Sequence, residues 1–513
     1  MMRPEVEDMA DRKTPETDAG RSPVVIAVAA LIGALSAGFL LLYVAVALAR
    51  LRYPFELQWG EGLILDHVRR VVAGLPLYPP PSLDFLAVLY LPFYYYVAAI
   101  ACRALGDGFA PLRLVSLIAS LGCFGLIFEI VRREKRGALW ALFAAGFFAA
   151  TYRACGDWLD VARVDSLFLL FFLAAVALVR FGESAAAGVA AGLLAAVATL
   201  TKQTTLPAIA PILCWVVVVR RRRALPLLAT YFAALAAAAA ALDRASGGWV
   251  WRYCFVIPAQ QPFNGHPPWA FWTEFVLGQT PVAAVAVAAH LVAGRRRATT
   301  WFYAALLAGT GGISWLTYTK AQGAENDFLT AAAAMAIVAA LGFADAAKRF
   351  SETAPRRRLA AAAIGAACLV QFALLRYDAA AQVPRLAAAA AGARLLQTLR
   401  AFPGEVFIPA HGYLGPFIGK RSYSHVAIWQ DIFLTPDTAL RRTLAAEITA
   451  AFDRGRFDAI VLDGLQYPYL QVILTRYRYM GELFRKGETD GFRVQAPWPN
   501  FLFVRNDLVP PGR

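Results

Sequence analysis

Apolar residues run along this 513-residue chain in long blocks separated by short polar stretches. The blocks 24–49, 112–131, 224–242 and 359–375 hold almost no charge. Crossing a hydrocarbon core of about 30 Å takes about 20 apolar residues in a helix, so each predicts a membrane span. Further apolar blocks at 139–151, 166–179, 185–200, 205–219, 271–292, 301–317 and 328–344 bring the expected number to about eleven. Segment 85–101 is marginal in length, contains Pro92 and carries Tyr94, Tyr95 and Tyr96. Tyrosine favours the headgroup level and proline disrupts a helix interior, so we read it as lying in the interface, which leaves the preceding loop outside; the alternative, a span, would make twelve helices and place that loop in the cytoplasm.

After residue 375 the pattern changes. Stretches 404–411 and 457–463 read as short buried strands flanked by turn residues. Between them 436–454 has helical periodicity, with Thr435 or Asp437 placed to cap it. The expected fold is therefore an all-α polytopic membrane domain over 23–375 followed by a small extracytoplasmic α/β domain over 376–513. Residues 1–22 are polar and mixed in charge, which predicts a disordered cytoplasmic tail.

The composition, 59% hydrophobic and 17% charged with a mean hydropathy of +0.52, departs from soluble chains in the direction this layout requires. A net charge of +15 would suit nucleic acid, but the basic residues sit in short runs between apolar blocks: 132–136, 220–223, 295–297 and 348–358. That is the positive-inside pattern of cytoplasmic loops, and it excludes a nucleic-acid partner while orienting the chain in a cell membrane. Four cysteines lie in apolar blocks; Cys155 and Cys254 fall in expected outer loops and leave a disulfide open. The five histidines show no zinc spacing, and no phosphate-binding glycine loop is present.

Candidate chemistry gathers in the outer loops. Glu61 stands between Gly60 and Gly62 in the first loop, with Glu56 and Asp66 nearby. A carboxylate at the mouth of a membrane cavity is partly desolvated and becomes a better proton acceptor; a solvated loop acid is the plainer alternative. The second loop carries Asp160, Arg163 and Asp165. Charges this close to a span are functional-site candidates. The two aspartates suit an acceptor or a divalent cation, and the guanidinium suits a phosphate; an ion pair within the loop would use the same residues. Lys202 and Lys320 lie in later outer turns, where a phosphate partner or snorkelling to headgroups would account for them.

These features together resemble the GT-C superfamily of membrane glycosyltransferases, which includes protein O-mannosyltransferases and lipid A aminoarabinose transferases. The resemblance rests on an acidic residue soon after the first span (Trp59-Gly60-Glu61) and an interfacial helix closing at Gly74. It also rests on the second-loop pattern Ala162-Arg163-Val164-Asp165 and on the late turn Gly323-Ala324-Glu325-Asn326. The chain has Glu where the family usually has Asp, so Glu56, Glu61 and Asp66 all remain candidates for the functional acid. The resemblance implies inverting transfer of a sugar from a polyprenyl-phosphate donor to an acceptor hydroxyl on a lipid, glycan or protein. Glu61 would be the general base, Arg163, Lys202 and Lys320 would hold the phosphate, and a divalent cation is left open. A transporter or lipid flippase, or a non-catalytic subunit of envelope-polysaccharide assembly, is the alternative; a transporter should carry its charges near mid-bilayer.

Overall fold

The computed structural model describes residues 23–349, 354–485, 488 and 498–509. The expected tail over 1–22 lies outside the described residues. The protein is predominantly helical, as the apolar blocks demand: without water in the hydrocarbon, each segment must satisfy its own backbone hydrogen bonds.

Among the described residues four helices are long and apolar enough to cross a membrane by length and composition, namely Pro23–Leu51, Phe109–Arg133, Ala224–Ser246 and Glu325–Arg349. The last is the central post, with 94% of its most apolar window buried. Its alanines let neighbouring helices approach closely. Other expected spans form shorter apolar helices, including Ala138–Ala150, Ala185–Thr201 and Thr205–Val219. One block differs from its expected form. The stretch read as a single span at 271–292 is two segments, Phe271–Gln279 and Pro281–Ala293, bent by 93°. Pro281 has no N–H to continue the ladder, and the Thr280 hydroxyl turns back to the Phe275 carbonyl at 3.0 Å.

In the ambiguous segment 85–101, helix begins only at Phe93 and runs to Leu105, with Pro92 as its N-cap. Its 13 residues reach about 20 Å, short of the hydrocarbon thickness. Cys155 and Cys254 are both free and buried. The disulfide left open for them is absent.

The C-terminal stretch carries a four-stranded sheet in the order β1-β2-β4-β3. Strands β1 (Val406–Phe407) and β2 (Ala459–Leu462) are parallel, as expected for strands joined by a helical crossover. Strands β3 (Tyr477–Glu482) and β4 (Phe501–Arg505) add an antiparallel hairpin, with β4 paired to β2. Every residue of β2 is buried. The intervening helix Thr438–Asp453 is capped by Asp437, whose carboxylate accepts from the Leu440 N–H at 3.0 Å.

This sheet unit is packed onto the first loop. The Ser424 N–H donates to the Leu83 carbonyl at 2.9 Å, Ser422 bonds Asp66, and Phe55 meets Trp498 edge-on. His411 lies between Glu56 at 2.6 Å and Asp463 at 3.3 Å. Gly62 is the contact point, since a Cβ there would fall 2.0 Å from the Tyr413 ring.

Candidate active site

A cavity of about 590 Å³ opens where the two outer loops, two later turns and the C-terminal unit meet. Arg163, Lys202 and Lys320 all line it. The three cations that lay in separate turns of the sequence are thus brought to one space.

Arg163 lies in the loop before the helix Asp165–Phe181 and is 9% exposed. Its guanidinium stacks 4.7 Å from the Trp158 ring centroid and makes long hydrogen bonds, both 3.4 Å, to the Gly60 carbonyl and the Tyr90 hydroxyl. Its Nε has no hydrogen-bond partner among the described residues, and no carboxylate there forms an ion pair with it. Gly60 makes this approach feasible. Its φ is +100°, and a Cβ would sit 2.6 Å from Arg163 Nη1. Glycine here therefore admits a protein side chain as well as a turn.

Lys202, at the end of the helix Ala185–Thr201, pairs with Asp165 at 2.7 Å. The same Asp165 oxygen accepts from Asn326 at 3.2 Å, which ties the late Gly-Ala-Glu-Asn turn to the second loop. Lys320 donates to the Pro258 carbonyl and faces the Phe263 ring. Around these cations stand Trp59, Tyr90 and Trp158, with Leu206, Pro207, Ile313 and Leu316 forming an apolar side. Gln58 Oε1, Trp59 Nε1 and Gln203 Oε1 are buried without hydrogen-bond partners among the described residues. Such groups are costly unless a ligand or water satisfies them.

Glu61 is placed differently from the sequence reading. It opens the helix Glu61–Val72, is 0% exposed and is not on the cavity wall. One carboxylate oxygen accepts from the Ala162 N–H at 2.6 Å and Arg113 Nε at 2.9 Å. The other accepts from the Leu57 N–H at 2.5 Å and Arg113 Nη2 at 2.7 Å. Burial opposes its charge, but the Arg113 guanidinium and the backbone N–H donors outweigh burial and hold the carboxyl below the usual range. A carboxylate with four donors and a depressed pKa is a poor proton acceptor. In this geometry the Glu61 carboxylate holds the backbone of Ala162, the residue before Arg163. Arg113 completes the clamp by donating to the Tyr53 and Phe55 carbonyls, each at 2.6 Å.

The other first-loop acids are also engaged. Glu56 bonds His411 and the Gly62 N–H, and Asp66 bonds Arg69 and Ser422. Asp160 faces Arg50 at 3.2 Å and accepts from Tyr152 at 2.8 Å, so it and Asp165 serve separate ion pairs and do not converge. Among the described residues no group of three or more His, Cys, Asp or Glu side chains is gathered to hold a metal ion.

Two wall residues escaped the sequence reading. Asp431 reaches the cavity from the C-terminal helix Val426–Phe433, with Gln261 beside it. An acid inside the apolar run Ala427-Ile428-Trp429-Gln430-Asp431-Ile432 was the available signal. Arg113 had a similar one, being a charge within the first turn of an apolar block.

Residues 91–251 match the model of the dolichyl-phosphate-mannose-protein mannosyltransferase family. No curated protein matches the chain in sequence. Among solved structures, ArnT from Cupriavidus metallidurans bound to undecaprenyl phosphate superposes with a TM-score of 0.59 at 14% identity, covering 91% of this chain and 98% of that one. The archaeal oligosaccharyltransferase AglB from Archaeoglobus fulgidus, in complex with an inhibitory peptide and a dolichol-phosphate, gives 0.53 at 12% identity, covering 95% of this chain and 74% of that one. The chain has the GT-C fold of membrane glycosyltransferases.

Proposed function

We propose that this GT-C protein transfers a sugar from a polyprenyl-phosphate donor to an acceptor hydroxyl, working at the outer face of a cell membrane with its C-terminal unit extracytoplasmic. The observation that carries this reading is the convergence of Arg163, Lys202 and Lys320 on one cavity, with Arg163 buried and without a carboxylate partner among the described residues. A desolvated guanidinium in that state calls for an anion, and its planar donors suit phosphate oxygens. The ArnT and AglB structures hold a polyprenyl phosphate and a dolichol-phosphate, which agrees with a lipid phosphate as that anion.

In this reading the phosphate sits against Arg163 and Lys320, with Lys202 adding charge from its pair with Asp165. As the bond from the sugar to the phosphate breaks, negative charge grows on the departing polyprenyl phosphate. Fixed cations stabilise that change without reorganising. Leu206, Pro207, Ile313 and Leu316 accept the first part of the lipid tail, and the rings of Trp59, Tyr90 and Trp158 offer faces to the sugar. The cavity's cations stand in loops and turns between helices, which argues against a transporter, whose coupling groups would be expected near mid-bilayer.

The test is transfer by purified protein in detergent or liposomes across a panel of polyprenyl-phosphate sugars, with release of polyprenyl phosphate as the readout. Saturable release with at least one donor is expected. Absence of wild-type release with every donor, in protein that binds none of them, refutes the proposal.

A further inference from the structure

With Glu61 withdrawn into its clamp, the cavity needs another group to take the acceptor's proton. We infer that Asp431, carried by the C-terminal unit, is the general base of the transfer, so that the site is completed only where that unit closes over the membrane-embedded part. This rests on the transferase reading above.

Asp431 lines the same cavity as Arg163, Lys202 and Lys320, yet it is 6% exposed overall. One of its oxygens accepts a hydrogen bond from Gln261 Nε2 at 2.5 Å. Among the described residues no cation pairs with it and its second oxygen has no hydrogen-bond partner. That separates it from Glu61, Asp160 and Asp165, each held by Arg113, Arg50 or Lys202. Gln261 follows the short helix Ile257–Gln260, which packs against Asp431's own helix. A neutral amide orients the carboxyl without stabilising its charge as a cation would.

The environment agrees. Burial lifts the Asp431 carboxyl to about 7, and the Gln261 bond offsets only part of that. Neither its own helix nor Ile257–Gln260 carries another titratable group. The other charged cavity groups are Arg163, Lys202, Lys320 and Asp327. The adjoining helix Thr438–Asp453 carries Arg441, Arg442, Glu447 and Asp453, and His425 caps Asp431's own helix. None of these is among the causes of the shift. A base is most effective when its pKa lies near the working pH.

The step balances. The acceptor oxygen bonds to the anomeric carbon and its proton passes to the free oxygen of Asp431. The bond from that carbon to the donor phosphate oxygen breaks, and its electron pair leaves on polyprenyl phosphate, held by the three cations. Asp431 then returns the proton to water.

The experiment compares wild type with Asp431→Asn and Asp431→Glu on the donor that wild type uses, with lipid-phosphate binding measured in parallel. Asparagine preserves size and the acceptor oxygen facing Gln261. We expect Asp431→Asn to bind undecaprenyl phosphate as wild type does while kcat falls at least about a hundredfold. The wild-type rise in kcat as pH passes through about 7 should be lost, and Asp431→Glu should recover part of both. Wild-type-like kcat and pH profile in Asp431→Asn would overturn the assignment while leaving the transferase reading intact. So would equal loss of lipid binding and thermostability in both variants, which would mark a purely structural role. If wild type transfers from no donor, the transferase reading falls and this assignment with it.

Discussion

Replacing Glu61 by glutamine removes one charge from an ion pair whose partners are 0% and 1% exposed. The amide keeps one acceptor oxygen but brings an NH₂ group against donors that now meet a carboxylate: Arg113 together with the N–H of Leu57 or Ala162. Arg113 stays buried, with carbonyl oxygens as partners and no other carboxylate in an ion pair with it among the described residues. Removing one member of a buried pair costs about 3–5 kcal/mol, a large fraction of a total stability of about 5–15 kcal/mol. The assay is the folded fraction after heating in detergent, read by size exclusion, alongside turnover per folded molecule. Glu61→Gln should lose much of its thermostability yet keep turnover per folded molecule within about tenfold of wild type, whereas loss of a general base costs about 10²–10⁴-fold. A pH series adds a second reading. The Glu61 pKa is depressed in the fold, so its stabilisation is present above the ordinary value of 4.5 and fades as pH falls through the lower folded value. The glutamine variant should lack that acid-side loss. Unchanged thermostability with at least about a hundredfold loss of turnover would refute the clamp and make Glu61 the base.

Three further outcomes are expected. Arg163→Gln should weaken binding of polyprenyl phosphate at least about tenfold with the smaller change in thermostability, because among the described residues no buried carboxylate is in an ion pair with it; Lys202→Met, which removes the ion-pair partner of Asp165, should also cost about 3–5 kcal/mol of stability, and equal destabilisation by both would contradict this contrast. A cysteine at exposed Pro80, in an otherwise cysteine-free background, should react with a membrane-impermeant thiol reagent in intact cells; labelling only after lysis would put the first loop inside. Burial works against charge on His411, but Asp463 and Glu56 overcome it and hold the pKa at about 10. Its stabilisation is full below the ordinary value of 6.5 and lost as pH rises toward about 10, so wild-type thermostability should fall over that window and His411→Gln should flatten the fall.

What the sequence disclosed follows from the range of the forces involved. Hydrophobic blocks are local, so the block at 112–131 anticipates Phe109–Arg133 within a few residues. Proline at 92 likewise marks where helix can begin. The break at Thr280 was hidden because Pro281 also suits the first turn of a helix, and the apolar pattern runs on through it. At the site, Arg163, Lys202 and Lys320 were visible as cations in outer turns, although a loop ion pair or snorkelling could also account for them locally, and their convergence on one cavity could not be read. The placement of Glu61 was not visible, because its partner Arg113 lies 52 residues away and pairwise distance cannot be read along a chain. The hairpin of β3 and β4 escaped for a related reason: Tyr477–Glu482 alternates weakly, with Arg478, Tyr479 and Met480 all exposed, and acquires its form from pairing with β4.

The ion pair joining Glu56 to His411 spans 355 positions of sequence, and this orders events during synthesis. At about 5–20 residues per second, roughly 20–70 s separate the emergence of the first loop from that of the helix that closes over it. For that interval the first loop is already delivered while Glu56 lacks its histidine and the cavity lacks its last wall. A nascent chain therefore passes through a stage in which its cations are in place but the site is open. A chain interrupted before Val426 would lack that wall, and on the proposed reading it would bind lipid phosphate without turning it over.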